Sequence, residues 1–317
     1  MKDLTHAIPT AGLETHEVMH VFLGHFGRAE GSSPFVYKYQ RETQAHFVTL
    51  TFTHRGAIKS ITATDDYPDE DQATLVRAVQ EQLIQSQDLV ASWNVLFSTH
   101  HSMQGFFQYR DRFQVRPMPS TAPSIAQLAG EQPFVIVFSH HKSSNTMIHQ
   151  MRRLKETVLL GRYLNLLLNT DVHPAPPSTG FGWALDASDP ATPTSRWTQL
   201  GYVPGPMPDV SLPLTAPSDI PPLVEVEAST YYSRIGHFEL TIPDNLEASL
   251  DRIFSLTLER RLQFDLATTW LAAASKTWFD SSSLSYAALV IAIEALLEPR
   301  APERCECCGQ DRHATTQ

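Results

Sequence analysis

Several stretches of this 317-residue chain set chemically capable residues at meaningful spacing. Near the end, Cys305-Glu306-Cys307-Cys308-Gly309-Gln310 has the form of half a metal knuckle. Thiolates at Cys305 and Cys308 can both reach one zinc ion, and Gly309 lets the backbone turn so that amides face the sulfurs. Cys307 can substitute in register, and His313 offers a third donor. These residues predict a structural zinc site completed by a ligand from elsewhere. The plain alternative is an exposed cysteine cluster on a tail. A redox pair fits less well, because the motif follows a helix and does not open one after a strand.

His16-Glu17-Val18-Met19-His20 is a literal H-E-x-x-H. On a helix it would place two imidazoles one turn apart, with Glu17 as general base for a zinc-bound water. Pro9 and Gly12 leave little helix ahead of it, Gly24 and His25 each miss the metzincin spacing by one residue, and fourteen histidines make chance matches common. A zinc metallopeptidase therefore ranks third among the readings. His140-His141-Lys142 lies between an apolar run and a helix bearing Arg152 and Arg153. A strand end, a helix start and two guanidiniums can hold a phosphate, and solvated loop histidines are the bland counterpart. His100-His101 is a weaker pair of the same kind. Glu294 is the one acid inside an apolar helix; buried it would need a partner, at an exposed edge it would not.

The elements that must position these residues are legible from periodicity. Phe35–Tyr39, His46–Thr53 and Ala57–Thr64 alternate apolar and polar residues, which predicts an antiparallel meander. Residues 71–97 carry Leu75, Val76, Val79, Leu83, Val90, Trp93 and Leu96 at helical spacing. Gly105–Pro117 reads as strand, Phe134–Phe138 as a short buried strand, and Asn145–Leu168 as a second long helix whose outer face holds Arg152, Arg153, Lys155 and Arg162. Residues 171–222 contain twelve of the 22 prolines, which excludes long helix or central strand and predicts an ordered loop laid over the surface. Leu223–Ala228 and His237–Ile242 read as strands returning to the first domain. Asp244-Asn245-Leu246-Glu247 has the form of a capping box opening a helix to Lys276, and Asp280 or a serine of Ser281–Ser283 caps a last helix, Leu284–Leu297. Two such helices make an antiparallel hairpin with a wide unburied face.

A hydrophobic fraction of 42%, with five Trp and sixteen Phe, is enough for real cores. The formal net charge of −10 argues against a surface devoted to nucleic acid, though a local basic strip remains compatible with it. No signal peptide and no membrane-spanning run is visible, and the three cysteines lie within four positions, so a cytoplasmic, soluble protein is expected.

The stretch Ser285-Tyr286-Ala287-Ala288-Leu289-Val290-Ile291-Ala292-Ile293-Glu294-Ala295-Leu296-Leu297-Glu298-Pro299, followed by the Cys305-x-x-Cys308-Gly309-Gln310 element, resembles the start of an ApeA-like HEPN domain. Gly24-His25-Phe26-Gly27-Arg28-Ala29-Glu30 and Ser33-Pro34-Phe35-Val36-Tyr37-Lys38 resemble the α/β region that precedes it in such bacterial proteins. The resemblance covers roughly Asp244 to Gln310 strongly and the rest loosely. It implies a ribonuclease linked to phage defence or toxin systems, using an Arg-x4–6-His motif on a later helix and acting across a dimer. The one literal match, Arg41 to His46, lies between two predicted strands and reads as chance. No catalytic pair carries over. On the resemblance, Glu294 is a candidate supporting acid that would meet an arginine from further helices.

The expectation is an α+β protein: an N-terminal mixed α/β domain with antiparallel strands over 1–170, a Pro-rich ordered loop over 171–222, returning strands over 223–243, and a partial HEPN-like helical domain with a CxxC tail over 244–317. Its expected function is that of a HEPN-family RNA-targeting or defence effector when complete, the chain itself being cut short and catalytically incomplete. The alternatives are a non-enzymatic sensor or dimerisation module and the HExxH zinc metallopeptidase. Expected partners are RNA through the complete protein and a second copy in a homodimer, with no membrane, and zinc as the one expected cofactor.

Overall fold

In a computed structural model of the chain, residues 1–42, 44–54, 56–99, 102–118, 131–174, 185–186, 194–195, 210–232, 239–277, 281–297, 303–304 and 311–312 are described. Alternating residues build the first layer. Strands β1 (Lys2–Asp3), β2 (Ala29–Ser33), β3 (Val36–Gln40), β4 (Phe47–Phe52) and β5 (Ile58–Ala63) form an antiparallel sheet in the order β1-β5-β4-β3-β2. The meander expected from the pattern is β3-β4-β5. Val48, Leu50 and Phe52 alternate inward and meet Val18, Val21 and Phe22 of α1 (Thr15–Phe26) and Leu75 and Val79 of α2 (Asp69–Gln85).

The expected helix over 71–97 divides. Helix α2 stops at Gln85, a turn over Ser86-Gln87-Asp88 follows, and Leu89–Thr99 is strand β6. Val90, Trp93 and Leu96 continue a helical spacing on paper, but the run is rich in β-branched and aromatic residues and finds a partner of equal length. That partner is β9 (Glu131–His141), paired with β6 along all eleven residues. With β7 (Phe107–Tyr109), β8 (Phe113–Pro117) and β10 (Val172–Pro174) it makes a second antiparallel sheet, ordered β10-β6-β9-β8-β7. Strand β9 is buried on both faces, which explains its unbroken apolar run: Phe134, Ile136 and Phe138 face one core, while Val135 and Val137 meet Leu214 on the other.

Helix α3 (Thr146–Leu168) joins the two halves. Ile148 near its start belongs to the first core, and Leu160, Tyr163, Leu164 and Leu168 belong to the second. Of the Pro-rich segment expected over 171–222, 172–174 extends the second sheet, β11 (Leu185–Asp186) pairs with β12 (Thr194–Ser195), 210–214 packs against the sheet, and the expected loop over 175–184, 187–193 and 196–209 lies outside the described residues. At one close approach the strap 221–223 bonds Phe106 on both sides, and any Cβ on Gly105 would sit 2.8 Å from Leu223 N.

The returning segments hold short β13 (Glu225–Val226), α4 (Ala228–Tyr231) and β14 (Ile242–Pro243), with β13 and β14 parallel. Leu223, Leu240 and Ile242 enter the second core as expected. The helix expected from Asp244 to Lys276 breaks into α5 (Leu246–Phe254) and α6 (Leu258–Thr277) at Ser255-Leu256-Thr257. Helix α5 is buried in the second core through Leu246, Leu250 and Ile253, so the boundary expected at Asp244 falls inside a core and the helical hairpin begins at Leu258. The expected capping box is absent. Asn245 is the N-cap residue, and Asp244 accepts a bond from Ala228 N at the start of α4. Ser281 caps α7 (Ser282–Leu296) by accepting Leu284 N, one of the caps expected. A last two-residue pair, β15 (Glu303–Arg304) and β16 (Asp311–Arg312), follows. The fold is α+β, and no helix among the described residues is long and apolar enough to cross a membrane.

Candidate functional site

The H-E-x-x-H residues do lie on a helix, α1, yet their geometry is structural. Glu14 is the N-cap residue and Glu17 closes the capping box, with Glu17 Oε2 accepting Glu14 N at 3.0 Å. Glu17 Oε1 accepts Arg152 Nε from α3 at 2.5 Å. Burial by itself would raise the Glu17 carboxyl, but the Arg152 hydrogen bond and the Glu14 amide outweigh it and hold the group below the usual range. Both oxygens of the would-be general base are therefore engaged. His16 Nδ1 lies 3.4 Å from Glu14 Oε2, and His20 offers its carbonyl to Asn145 Nδ2. Among the described residues no three His, Cys, Asp or Glu side chains gather around a common point.

The Arg152 guanidinium is a hub between the two halves of the molecule. Besides Glu17 it donates to Lys142 O at 2.8 Å and to Ser86 Oγ at 2.8 Å. The basic face expected on α3 is largely spoken for in the same way: Lys155 pairs with Glu14, and Arg162 donates to Thr269 Oγ1 at 2.7 Å. The His140-His141-Lys142 segment is split by burial. His140 is buried, with Nδ1 3.0 Å from His141 O and Nε2 2.8 Å from Ser92 Oγ. Only a donor can face a carbonyl, so the proton sits on Nδ1 and Nε2 accepts from Ser92. Burial pushes the ring down to about 4. It is a neutral packing histidine whose ring meets that of His149 at 4.8 Å in a tilted contact, whereas His141 is exposed. Arg41 and His46 do not meet as a pair: Arg41 donates to His25 O and lies 3.5 Å from Asp71, and His46 lies 3.3 Å from Asp66.

Beside His140 a cavity of about 460 Å³ opens between the second sheet, α3 and the end of α5. Arg110, Asp111 and Arg112 line it from the β7-β8 turn, Glu156 and Leu160 from α3, and Phe254 from α5. Arg110 holds a left-handed backbone (φ 48°), a strained conformation for a residue with a Cβ, and its guanidinium pairs with Asp251 at 2.5 Å. The Arg112 guanidinium lies 4.1 Å over the Phe254 ring. Glu156 is half-buried and makes no hydrogen bond or ion pair with the described residues; burial raises its carboxyl, against the pull of Arg112, Lys155, Arg261 and His141. Motif reading passed over this site. The available signals were that Glu156 is the only acid in α3 and that Arg110-Asp111-Arg112 is a charged turn between aromatic strands.

The hairpin is the second candidate. Helices α6 and α7 approach through small residues, Ala267, Thr268 and Ala274 against Ser285, Ala288 and Ala292, and Ser285 Oγ donates to Ala274 O at 2.9 Å. Phe264 packs against the second core, but many of the other large apolar side chains point away. Leu258 is 78% exposed, Leu262 61%, Leu266 50%, Tyr286 69% and Ile293 61%. On its α3 side the hairpin is fastened by Tyr163 Oη, which bonds Asp265 and accepts Arg261 Nε at 2.5 Å. Glu294 stands exposed on α7. Cys305, Cys307, Cys308 and His313, with His100 and His101, lie outside the described residues. No family model, curated protein or solved structure matches the chain.

Proposed function

We propose that this chain is the sensing and assembly part of a HEPN-type effector: an α/β body that holds a ligand cavity, carrying a helical hairpin that pairs with the hairpin of a second copy. The resemblance implies RNA-directed chemistry, but Arg41 and His46, the one literal match to its motif, do not meet as a pair, and we read the chain as catalytically silent. One observation carries the assembly reading. In an isolated two-helix hairpin the large apolar residues would turn inward, where burial stabilises each by about 1.5–3 kcal/mol. Here alanine and serine occupy the inside while Leu258, Leu262, Leu266, Tyr286 and Ile293 face water. That arrangement suits a hairpin whose outer face is the inner face of something larger.

A second copy satisfies it simply. Two antiparallel hairpins brought together about a two-fold axis make a four-helix bundle, and a two-fold interface needs one self-complementary patch, which a leucine- and isoleucine-lined face provides. Two measurements test the reading. Size-exclusion chromatography with light scattering is expected to give a dimer for the chain and a monomer for Leu262→Glu with Ile293→Glu. Labelled RNA incubated with the chain, with and without divalent metal, is expected to stay intact; cleavage that the chain itself performs would remove the claim of catalytic silence.

A further inference from the structure

The cavity between the second sheet, α3 and α5 has a lining that selects among ligand classes. Its charges are mixed: Arg110, Asp111 and Arg112 come from the β7-β8 turn and Glu156 from α3, with Leu89 and Leu160 as apolar wall. A bare anion would meet the two arginines and be repelled by two carboxylates, so a simple phosphate or sulfate site is disfavoured. A nucleobase would need an open aromatic face, but the Phe254 ring already carries Arg112 at 4.1 Å, Arg261 at 4.8 Å and a stacked Tyr109 at 5.3 Å. The volume of about 460 Å³ is that of a small-molecule pocket and exceeds what one ion fills.

Glu156 and Arg112 both line the cavity and are not within ion-pair distance of each other. A half-buried carboxylate with no bonded partner is costly, and such groups concentrate where a ligand completes them. Arg112 is held by its stacking on Phe254, so its planar fork of donors is pre-oriented at little further cost on binding.

We propose that this cavity binds a small zwitterion, a molecule bearing an ammonium group and a carboxylate or phosphate a few bonds apart, of which a free α-amino acid is the simplest member. Glu156 receives the ammonium, Arg112 receives the anion with Arg110 at its flank, and Leu89 and Leu160 contact the carbon skeleton. The proposal gives the sensing half of the reading above a ligand class and rests on it.

The test is isothermal titration calorimetry of the full chain with each of the twenty amino acids and with O-phosphoethanolamine, beside methylammonium, acetate and inorganic phosphate alone. At least one zwitterion is expected to bind while the single-charge probes do not, and the carboxylate and phosphate members of the panel separate the two sources of the anion. Glu156→Gln and Arg112→Gln are each expected to weaken binding about tenfold or more. Circular dichroism confirms that both variants fold, and Leu160→Phe, which fills the cavity from its apolar wall, supplies a block that removes neither charge. No heat from any zwitterion overturns the proposal. So does inorganic phosphate binding as tightly as the zwitterions, or affinity that Glu156→Gln leaves unchanged. Calorimetry reads binding whether or not the chain pairs, so a ligand-binding monomer sinks the assembly reading alone, and a dimer that binds no zwitterion sinks this proposal alone.

Discussion

Helix α3 and the α6–α7 hairpin are both rich in leucine and other large apolar residues, and they use them in opposite ways. Helix α3 turns its large apolar residues inward twice, giving Ile148 to one core and Leu160, Leu164 and Leu168 to another, and nearly all its basic groups have partners. The hairpin turns its small residues inward and leaves Leu258, Leu262, Leu266, Tyr286 and Ile293 facing outward. The first is a helix whose surroundings are present in the chain. The second is a pair of helices whose outer face the other described elements leave open to water. Sequence amphipathicity alone does not separate these cases, since both read as apolar stripes; what separates them is which stripe the neighbouring elements cover.

Substitutions sharpen the contrast in order of expected effect. Glu17→Ala leaves Arg152 buried with its charge uncompensated at the junction of the two halves, and should cost about 3 to 5 kcal/mol in urea unfolding; a loss under about 1 kcal/mol would show that the junction is not what fixes α3. His140 is next. Its ring stays neutral in the folded chain down to about 4, whereas the unfolded chain takes up a proton near 6.5. Its contribution is therefore complete above pH 6.5 and lost as pH falls toward 4, by up to about 3 kcal/mol. Replacing it in His140→Gln should flatten the pH dependence of stability in that window, and equal slopes in both proteins would contradict the assignment.

Asn145→Ala removes the side chain that accepts Met147 N at 3.0 Å and Ile148 N at 3.2 Å, and should lower thermal stability by about 1 kcal/mol. The smallest effect is expected in the hairpin. Leu262→Glu with Ile293→Glu should change the stability of the dilute monomer by only about 0.5 kcal/mol, because both side chains are already in water. A loss of several kcal/mol there would mean that the face is covered within one chain, and the contrast with α3 would fail.

Where one face of an element is buried and the other wet, the pattern was readable: β3-β4-β5 alternate, and the Ser281 cap and the wide unburied face of the hairpin follow from local chemistry. Where an element has two buried faces or changes type within a continuous apolar spacing, it was not. Val90, Trp93 and Leu96 satisfy a helical template, and only their pairing with β9, some forty residues away, makes them strand. Arg152 looked like part of a solvated basic face because nothing local says that α1 lies over it. Glu156 was missed for the same reason: a lone acid acquires meaning only when Arg112 and Phe254 arrive from distant segments.

The central claim is that the outer face of the hairpin is an interface between two copies. Sedimentation velocity over a wide concentration range tests it most directly. The account predicts that the 35.5 kDa chain moves toward a species of twice that mass as concentration rises, and that Leu262→Glu with Ile293→Glu remains at the monomer mass throughout. A wild-type chain that stays monomeric at every concentration, or a variant that dimerises as the wild type does, would contradict it.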